Sequence, residues 1–406
     1  MSAFNLNRCA VLTILALLAA LLAACDGAAL PTSAPVTPPP PAAETPTVVL
    51  NPTATPTPFI ATSTPPPVGR TPLEQGFGAE KGFWRVLFTD PIGSRDASKY
   101  VGGIDYQLAE AIAGVQRTLD IAAFEFNSPI LTQAVLDAHA RGVAVRMVAD
   151  NEHGVKDRAS TIPQLQAAGI PVVDDARPSL MHNKFMILDG TTVWFGSWNF
   201  TVNDTYRNNN NALALTSRRA VQNFQNQFNQ MFEQRLFSVS KRADTPFPSF
   251  SQDSIPIQVL FAPKERIVAA VAVALSSAQQ SIRFMTFSFT LDDIAGVMQQ
   301  KAMQGVVIQG IFERTGSETR TSELTPLFCS GLDVRQDGNP FVLHHKVFIV
   351  DNRTVITGSF NFSQGARDEN DENLVIISDP DLALQYVEEF NRRWAQARVP
   401  TALTCP

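Results

Sequence analysis

Two stretches of the chain are written alike: MHNKFMILDGTTVWFGSWNF at 181–200 and LHHKVFIVDNRTVITGSFNF at 343–362. Each holds a histidine, a lysine two residues on, an aspartate five further, and then Gly-Ser-x-Asn. The first set is His182, Lys184, Asp189, Gly196, Ser197 and Asn199; the second is His344, Lys346, Asp351, Gly358, Ser359 and Asn361. The apolar run after each lysine reads as a buried strand, and residues two apart on a strand leave the same face. Each histidine therefore sits beside its lysine. An ammonium group neutralises phosphate oxygens, and an imidazole can attack phosphorus or carry a proton. One copy supplies one imidazole. Cleaving a phosphodiester needs a nucleophile and a proton donor on opposite sides, which explains two copies in one chain. The chain has five histidines, and the remaining three, His139, His153 and His345, read as ordinary; His345 is expected on the opposite strand face.

The elements that must position these pairs are duplicated too. LDIAAFEFNSPILTQAVLDAHARGVAVRMVAD at 119–150 aligns with IRFMTFSFTLDDIAGVMQQKAMQGVVIQGIFE at 282–313. Each is a β-rich run, an apolar-periodic helix broken by Gly142 or Gly305, and a second β-branched strand. Phe124 and Phe287 each precede that glycine by 18 residues, and the motif histidines follow it by 40 and 39. Another helix follows each motif, at 218–235 and in DPDLALQYVEEFNRRWAQA. This alternation predicts an α/β protein of mixed sheets flanked by helices, in two similar lobes packed as an internal pseudo-dimer. The lobes are expected at 76–243 and 252–400, with the polar KRADTPFPSFSQDS at 241–254 as the seam.

The pattern His-x-Lys-x(4)-Asp followed by Gly-Ser-x-Asn resembles the signature of the phospholipase D superfamily, and the likeness extends over nearly all of residues 85–395. The resemblance implies a duplicated phospholipase D-like fold and a two-step double displacement through a covalent phosphohistidine, without a metal ion or other cofactor. It implies a catalytic set of His182, Lys184, Asp189, His344, Lys346 and Asp351, with the aspartates orienting rather than reacting. Ser197, Asn199, Ser359 and Asn361 would bind phosphate or support the set, and the Gly-Ser steps would let backbone approach the substrate. The family commonly has an acidic residue 28 positions after the motif histidine, bonded to the far imidazole nitrogen. Glu372 stands 28 after His344, whereas Asn210 stands 28 after His182. Family precedent makes His182 the nucleophile and His344 the general acid and base; the amide at Asn210 counts against that order, since only a carboxylate stabilises an imidazolium.

The N-terminus has a separate reading. An apolar run from Ala10 to Ala24 is short for a membrane span but suits an export signal, and Leu22–Cys25 (LAAC) resembles a bacterial lipobox. Residues 1–24 are expected as a signal and Cys25 as the lipidation site, which places the protein outside the cytoplasm on a membrane anchor. Residues 31–72 hold 14 of the 28 prolines, so 25–75 is expected to be a disordered or semi-rigid linker. Of the other cysteines, Cys9 falls in the signal, while Cys329 and Cys405 either form a disulfide or remain as two buried thiols.

Composition narrows the substrate. The net charge of −6 gives no broad electrostatic grip on nucleic acid, and Arg314, Arg320 and Arg353 form no dense basic run. The expected lipid anchor, and Trp194 and Trp198 near the first motif, favour a phospholipid head group as substrate, although core packing is the expected job of at least one tryptophan. A metal-independent endonuclease of the same superfamily is the alternative. A non-catalytic exported binding module is the remote third reading, and the retention of both His-Lys pairs argues against it. No obligate protein partner is implied.

Overall fold

The computed structural model describes residues 67–405. The expected signal, Cys25 and almost all of the proline-rich segment lie outside the described residues.

Two mixed sheets share one strand order. From edge to edge the first runs Gly69–Thr71, Phe77–Lys81, Trp84–Phe88, Asn211–Leu215, Thr192–Gly196, Lys184–Leu188, Thr118–Ala123, Ala144–Ala149 and Val172–Asp174. The second runs Ser249–Gln252, Ile255–Ala262, Glu372–Ile377, Thr354–Gly358, Lys346–Val350, Ser281–Thr286, Val307–Phe312 and Asp333–Gln336. In each, the central strand pairs parallel with the strand reached through a crossover helix, Pro129–Ala140 or Asp292–Met303. On its other side it pairs antiparallel with the lysine-bearing strand.

Strand alternation sorts the apolar side chains into two layers per sheet. Leu119, Ile121, Met186 and Leu188 face an outer layer with Leu108, Leu131 and Val135; Ile282, Phe284, Phe348 and Val350 do the same with Val271, Ile294 and Met298. The opposite faces, including Phe185, Ile187, Val347 and Ile349, bury into one core shared by both lobes. Two long amphipathic helices, Arg218–Phe232 and Pro380–Gln396, fill the space between the sheets. Phe224 of the first stacks on Phe195 and meets Phe185 of its own sheet and Phe261 of the other lobe edge-on, each at 5.1 Å between centroids. Tyr386 of the second meets Phe88 of the first lobe at 5.0 Å. A shared core makes one lobe the wall of the other; emptying it at Phe224 with alanine would cost about 3–5 kcal/mol.

Three expectations need correction. The first sheet begins before residue 76, because Gly69–Thr71 adds an edge strand to Phe77–Lys81; backbone pairing at an edge needs no apolar pattern. The polar stretch 241–254 is more than a seam. It contains the edge strand Ser249–Gln252 and the buried Lys241, whose Nζ lies 2.8 Å from Asp371 and donates to the Ala262 carbonyl at 2.9 Å. Trp194 and Trp198 are both buried, so neither is available to a lipid surface. Cys329 and Cys405 form a disulfide with Cα atoms 5.4 Å apart, which pins the C-terminal tail to the short helix Leu324–Cys329. No helix among the described residues is long and apolar enough to cross a membrane.

Candidate active site

Just ahead of the two lysine-bearing strands, backbone bonds lock the junction of the lobes. Asn209 donates to the Val342 carbonyl at 2.8 Å and accepts from His344 at 2.9 Å; Asp371 donates to the Leu180 carbonyl at 2.9 Å. Just before each motif histidine, a carboxylate at the end of the next strand but one holds the backbone. Asp150 accepts from the Met181 N–H at 3.1 Å, and Glu313 from the Leu343 N–H at 2.6 Å. Lys184 and Lys346 each donate to the carbonyl of their own histidine at 2.7 Å. Each also sits over a phenylalanine ring, Lys184 at 4.7 Å from Phe124 and Lys346 at 4.9 Å from Phe287. The same rings lie edge-on to His182 at 4.7 Å and His344 at 4.9 Å.

The residues 28 positions after the histidines do not act within their own lobes. Glu372 of the second lobe lies 2.8 Å from His182 Nδ1, and Asn210 Oδ1 of the first lobe lies 3.0 Å from His344 Nδ1. The supports are exchanged because the strands that carry them end at the lobe junction, facing the opposite histidine. A hydrogen bond at Nδ1 leaves Nε2 of each imidazole as the free nitrogen. The comparison of Asn210 with Glu372 therefore inverts: the carboxylate belongs to His182 and the amide to His344.

Ser197 and Ser359 are fully buried and orient these supports. Ser197 Oγ donates to Asn210 Oδ1 at 2.8 Å, and Ser359 Oγ donates to Glu372 at 2.6 Å. Gly196 and Gly358 allow close backbone approach, but to the adjacent strand: a Cβ on either would meet the Asn211 or Asn373 carbonyl at 2.3 Å. The expected approach to substrate is replaced by this tight strand crossing. Oδ1 of both Asn199 and Asn361 is buried without a hydrogen-bond partner, the same in each lobe.

Asp189 and Asp351 lie at the far ends of the lysine-bearing strands. Asp189 accepts backbone N–H groups of Gln116, Arg117 and Thr118 at 2.7–3.0 Å, and Asp351 those of Gln279, Gln280 and Ser281 at 2.7–2.8 Å. Burial pushes both carboxyls up, but these bonds outweigh it and hold them below the ordinary carboxylate value. They clamp a loop and do not reach the paired histidines, which places them outside the reacting set.

The electrostatics follow from burial. Burial lowers His182 and His344 well below an ordinary histidine, and the lysine pair lowers them further. Both effects favour the neutral imidazole, the form a nucleophile requires. Burial also brings Lys184 down to about 8 and Lys346 well below its ordinary value. Glu372 is pushed up to about 7 by burial. A phosphate anion in the site would raise both lysines again, since an opposite charge nearby favours the charged form.

Several neighbours escaped the sequence reading. His153 stacks 4.6 Å from Phe124, on a single wide helical turn at Asn151–Val155, and so backs the first pair. Glu125, pushed up to about 7 by burial and by Asp204, lies near Lys184. Asp150 and Glu313 were legible as an acidic residue closing both aligned strands. Asp204 had no such signal, because its counterpart in the second copy is Ala366. His345 takes the other strand face as expected. It is buried between Asn211 and Glu389, each at 3.0 Å, and fastens the lobes together.

The chain is similar to several known proteins. The mitochondrial cardiolipin hydrolase of Xenopus tropicalis is 39% identical over 119 residues, 29% of this chain and 56% of that protein. The chain thus spans somewhat over half the length of that relative. A phospholipase D of Rickettsia felis is 31% identical over 139 residues, 34% of this chain and 70% of that protein. The crystal structure of phosphatidylserine synthase from Haemophilus influenzae Rd KW20 matches with a TM-score of 0.57 at 15% identity, covering 74% of this chain and 86% of that one; the likeness is one of fold. Residues 108–232 and 271–394, together more than half of the chain, each match the family described as "Cardiolipin synthase, PLD-like domain", and the chain belongs to that phospholipase D superfamily.

Proposed function

We propose that this protein is a phospholipase D-type phosphodiesterase that hydrolyses a phospholipid head group through a phosphohistidine. The observation that carries the reading is the exchange of supports across the lobes, which arms the two imidazoles differently at one site. His182 Nε2 attacks phosphorus, and the P–O bond to the leaving alcohol breaks as His344, an imidazolium once it has taken up a proton with the bound phosphate anion, delivers its Nε2 proton to that oxygen. Water then attacks phosphorus, loses a proton to His344 and displaces His182. Glu372 accepts the Nδ1 proton of His182 and stabilises the positive charge that forms as the ring bonds to phosphorus. Lys184, Lys346, Asn199 and Asn361 hold the non-bridging oxygens, where developing charge needs preorganised donors.

A lipid substrate is supported by the relatives' names, cardiolipin hydrolase and phospholipase D. It is also supported by Phe287, which is 37% exposed beside His344 and offers an apolar contact at the site. Anchoring through Cys25 belongs to the same proposal, motivated by LAAC after the apolar run; mass spectrometry of the membrane-extracted protein should find Cys25 lipidated at the mature N-terminus, and an intact leader would refute it. The activity test is to incubate the full chain with cardiolipin, phosphatidylcholine, phosphatidylglycerol and single- or double-stranded DNA, with EDTA throughout. Metal-independent head-group release on a lipid is expected. Cleavage of DNA and no lipid would replace the substrate class with the endonuclease reading, and activity lost with neither histidine would overturn the mechanism.

A further inference from the structure

His344 lacks the carboxylate that its partner has, yet a second side chain stands at the same nitrogen. Asp204 Oδ2 lies 3.4 Å from His344 Nδ1, just behind Asn210 Oδ1 at 3.0 Å. The Asp204 side chain is only 4% exposed, so its charge is little screened by water. It is held from both sides: Oδ2 accepts the Asn199 N–H at 2.8 Å and Oδ1 accepts from the Asn208 amide. The Asn210 amide is fixed as well, with Oδ1 accepting from Ser197 and Nδ2 donating to the Asp204 carbonyl at 3.1 Å.

The second lobe shows that this arrangement belongs to one side only. Thr201 caps the helix Val202–Tyr206 by accepting from Asp204 N, as Ser363 caps Gln364–Asp368 by accepting from Ala366 N. Asp204 and Ala366 are therefore structural counterparts, as are Asn210 and Glu372. One lobe offers Asp and Asn where the other offers Ala and Glu. The carboxylate has moved six residues along the chain but still reaches the opposite lobe's histidine.

We propose that Asp204 is the positioning carboxylate of His344, supplying the negative charge that Asn210 cannot. The consequence for turnover rests on the hydrolase reading above: Asp204 stabilises the imidazolium that His344 becomes when it takes the proton of the attacking water. A wider charge balance supports the assignment. Asp204 and Glu372 are the two carboxylates whose charge opposes the lowering of both Lys184 and Lys346. The charged and titratable groups that face His344 are Lys346 on its own strand, Lys184 and His182 from the first lobe, and His345 next in the chain, all of which disfavour its protonation. Asp204 is the carboxylate within 4 Å that opposes them.

The test uses the full chain, labelled at histidine Cε1 and titrated by NMR with and without inorganic phosphate, alongside pH–rate profiles. Asp204→Asn keeps an acceptor for the Asn199 N–H and removes only the charge. It should lower the His344 midpoint by about one pH unit or more. It should slow turnover of esters of poor leaving alcohols about tenfold while sparing the first-turnover release of 4-nitrophenol from a 4-nitrophenyl ester, which needs no general acid. The double variant Asp204→Ala with Asn210→Asp rebuilds the second lobe's pattern, with an aspartate for its glutamate, and should restore both readouts. It also serves as the test if Asp204→Asn fails to fold. An unmoved His344 midpoint in Asp204→Asn, or failure of the rebuilt pair to restore it, would overturn the proposal. A midpoint that moves in a protein without phosphodiesterase turnover would support the coupling while removing the hydrolase reading.

Discussion

The two lobes differ least in what holds the motif in place and most in what sets its charge. Both sheets have the same strand order, both lysines bond their histidine's carbonyl at 2.7 Å, and both motif aspartates clamp three backbone N–H groups. Around the imidazoles the copies part. His182 has a glutamate at Nδ1 and a phenylalanine covered by His153; His344 has an amide backed by Asp204 and a phenylalanine that is 37% exposed. In the proposed mechanism the geometry is common to the two half-reactions, whereas the charge required of a nucleophile differs from that required of a proton carrier. A duplicated frame can keep the first and diverge in the second.

The strongest way to break this comparison is to remove each histidine. His182→Ala and His344→Ala should each lower steady-state turnover by about 10³-fold or more, since each serves a step the other cannot. With a good leaving group, labelled phosphoenzyme should accumulate in His344→Ala and be absent in His182→Ala; label trapped on His344 would reverse the roles. The supports come next. Glu372→Gln should slow phosphoenzyme formation about a hundredfold, because an amide cannot stabilise the charged imidazole. An equal effect from Asn210→Ala would mean the lobes are not functionally distinct.

A third comparison is in pH dependence. Glu372 sits at about 7 in the folded protein against an ordinary value of 4.5, so between those values the folded state holds the extra proton. Stability contributed at this position falls as pH rises through that window. Glu372→Gln should flatten the fall in denaturant midpoint between pH 5 and pH 7, roughly the window between the two values, and Asn210→Asp should steepen it. An identical pH profile in all three proteins would show that the buried carboxylate is not titrating. The smallest effect is expected where the lobes agree: Asp189→Asn and Asp351→Asn should each destabilise by about 1–3 kcal/mol through weakened backbone bonds. Both aspartates are held below the ordinary carboxylate value, so this contribution is present at neutral pH and lost as pH falls below about 4. A much larger loss at one site would break the symmetry of the clamps.

Much of the fold was legible because the duplication acts as an internal alignment. Recurrence at matching spacing picked out the motif residues, the βαβ unit and the second helix of each lobe. The edge strands Gly69–Thr71 and Ser249–Gln252 were not legible, since a short edge pairs through backbone alone and lies in polar, proline-bearing sequence. Both tryptophans near the first motif were open to a lipid-facing role by type; packing against the outer helices buries them. His153 read as ordinary because a single turn of helix has too few residues to show a period.

By itself the sequence determined which histidines pair with which lysines, and that the pairing occurs twice. Those follow from residue type and from spacing along one strand, which local geometry preserves. Only the tertiary structure decided which support serves which histidine. A separation of 28 residues suggests a partner in the same copy, but the supporting strand ends at the junction and its side chain crosses it. Asp204 was decided there as well. Its chain neighbours give it no pattern, and its meaning comes from the 3.4 Å that separates it from an imidazole 140 residues away in the chain. Chain order encodes contacts within a strand or helix; charge across an interface depends on how two separately folded edges are brought together.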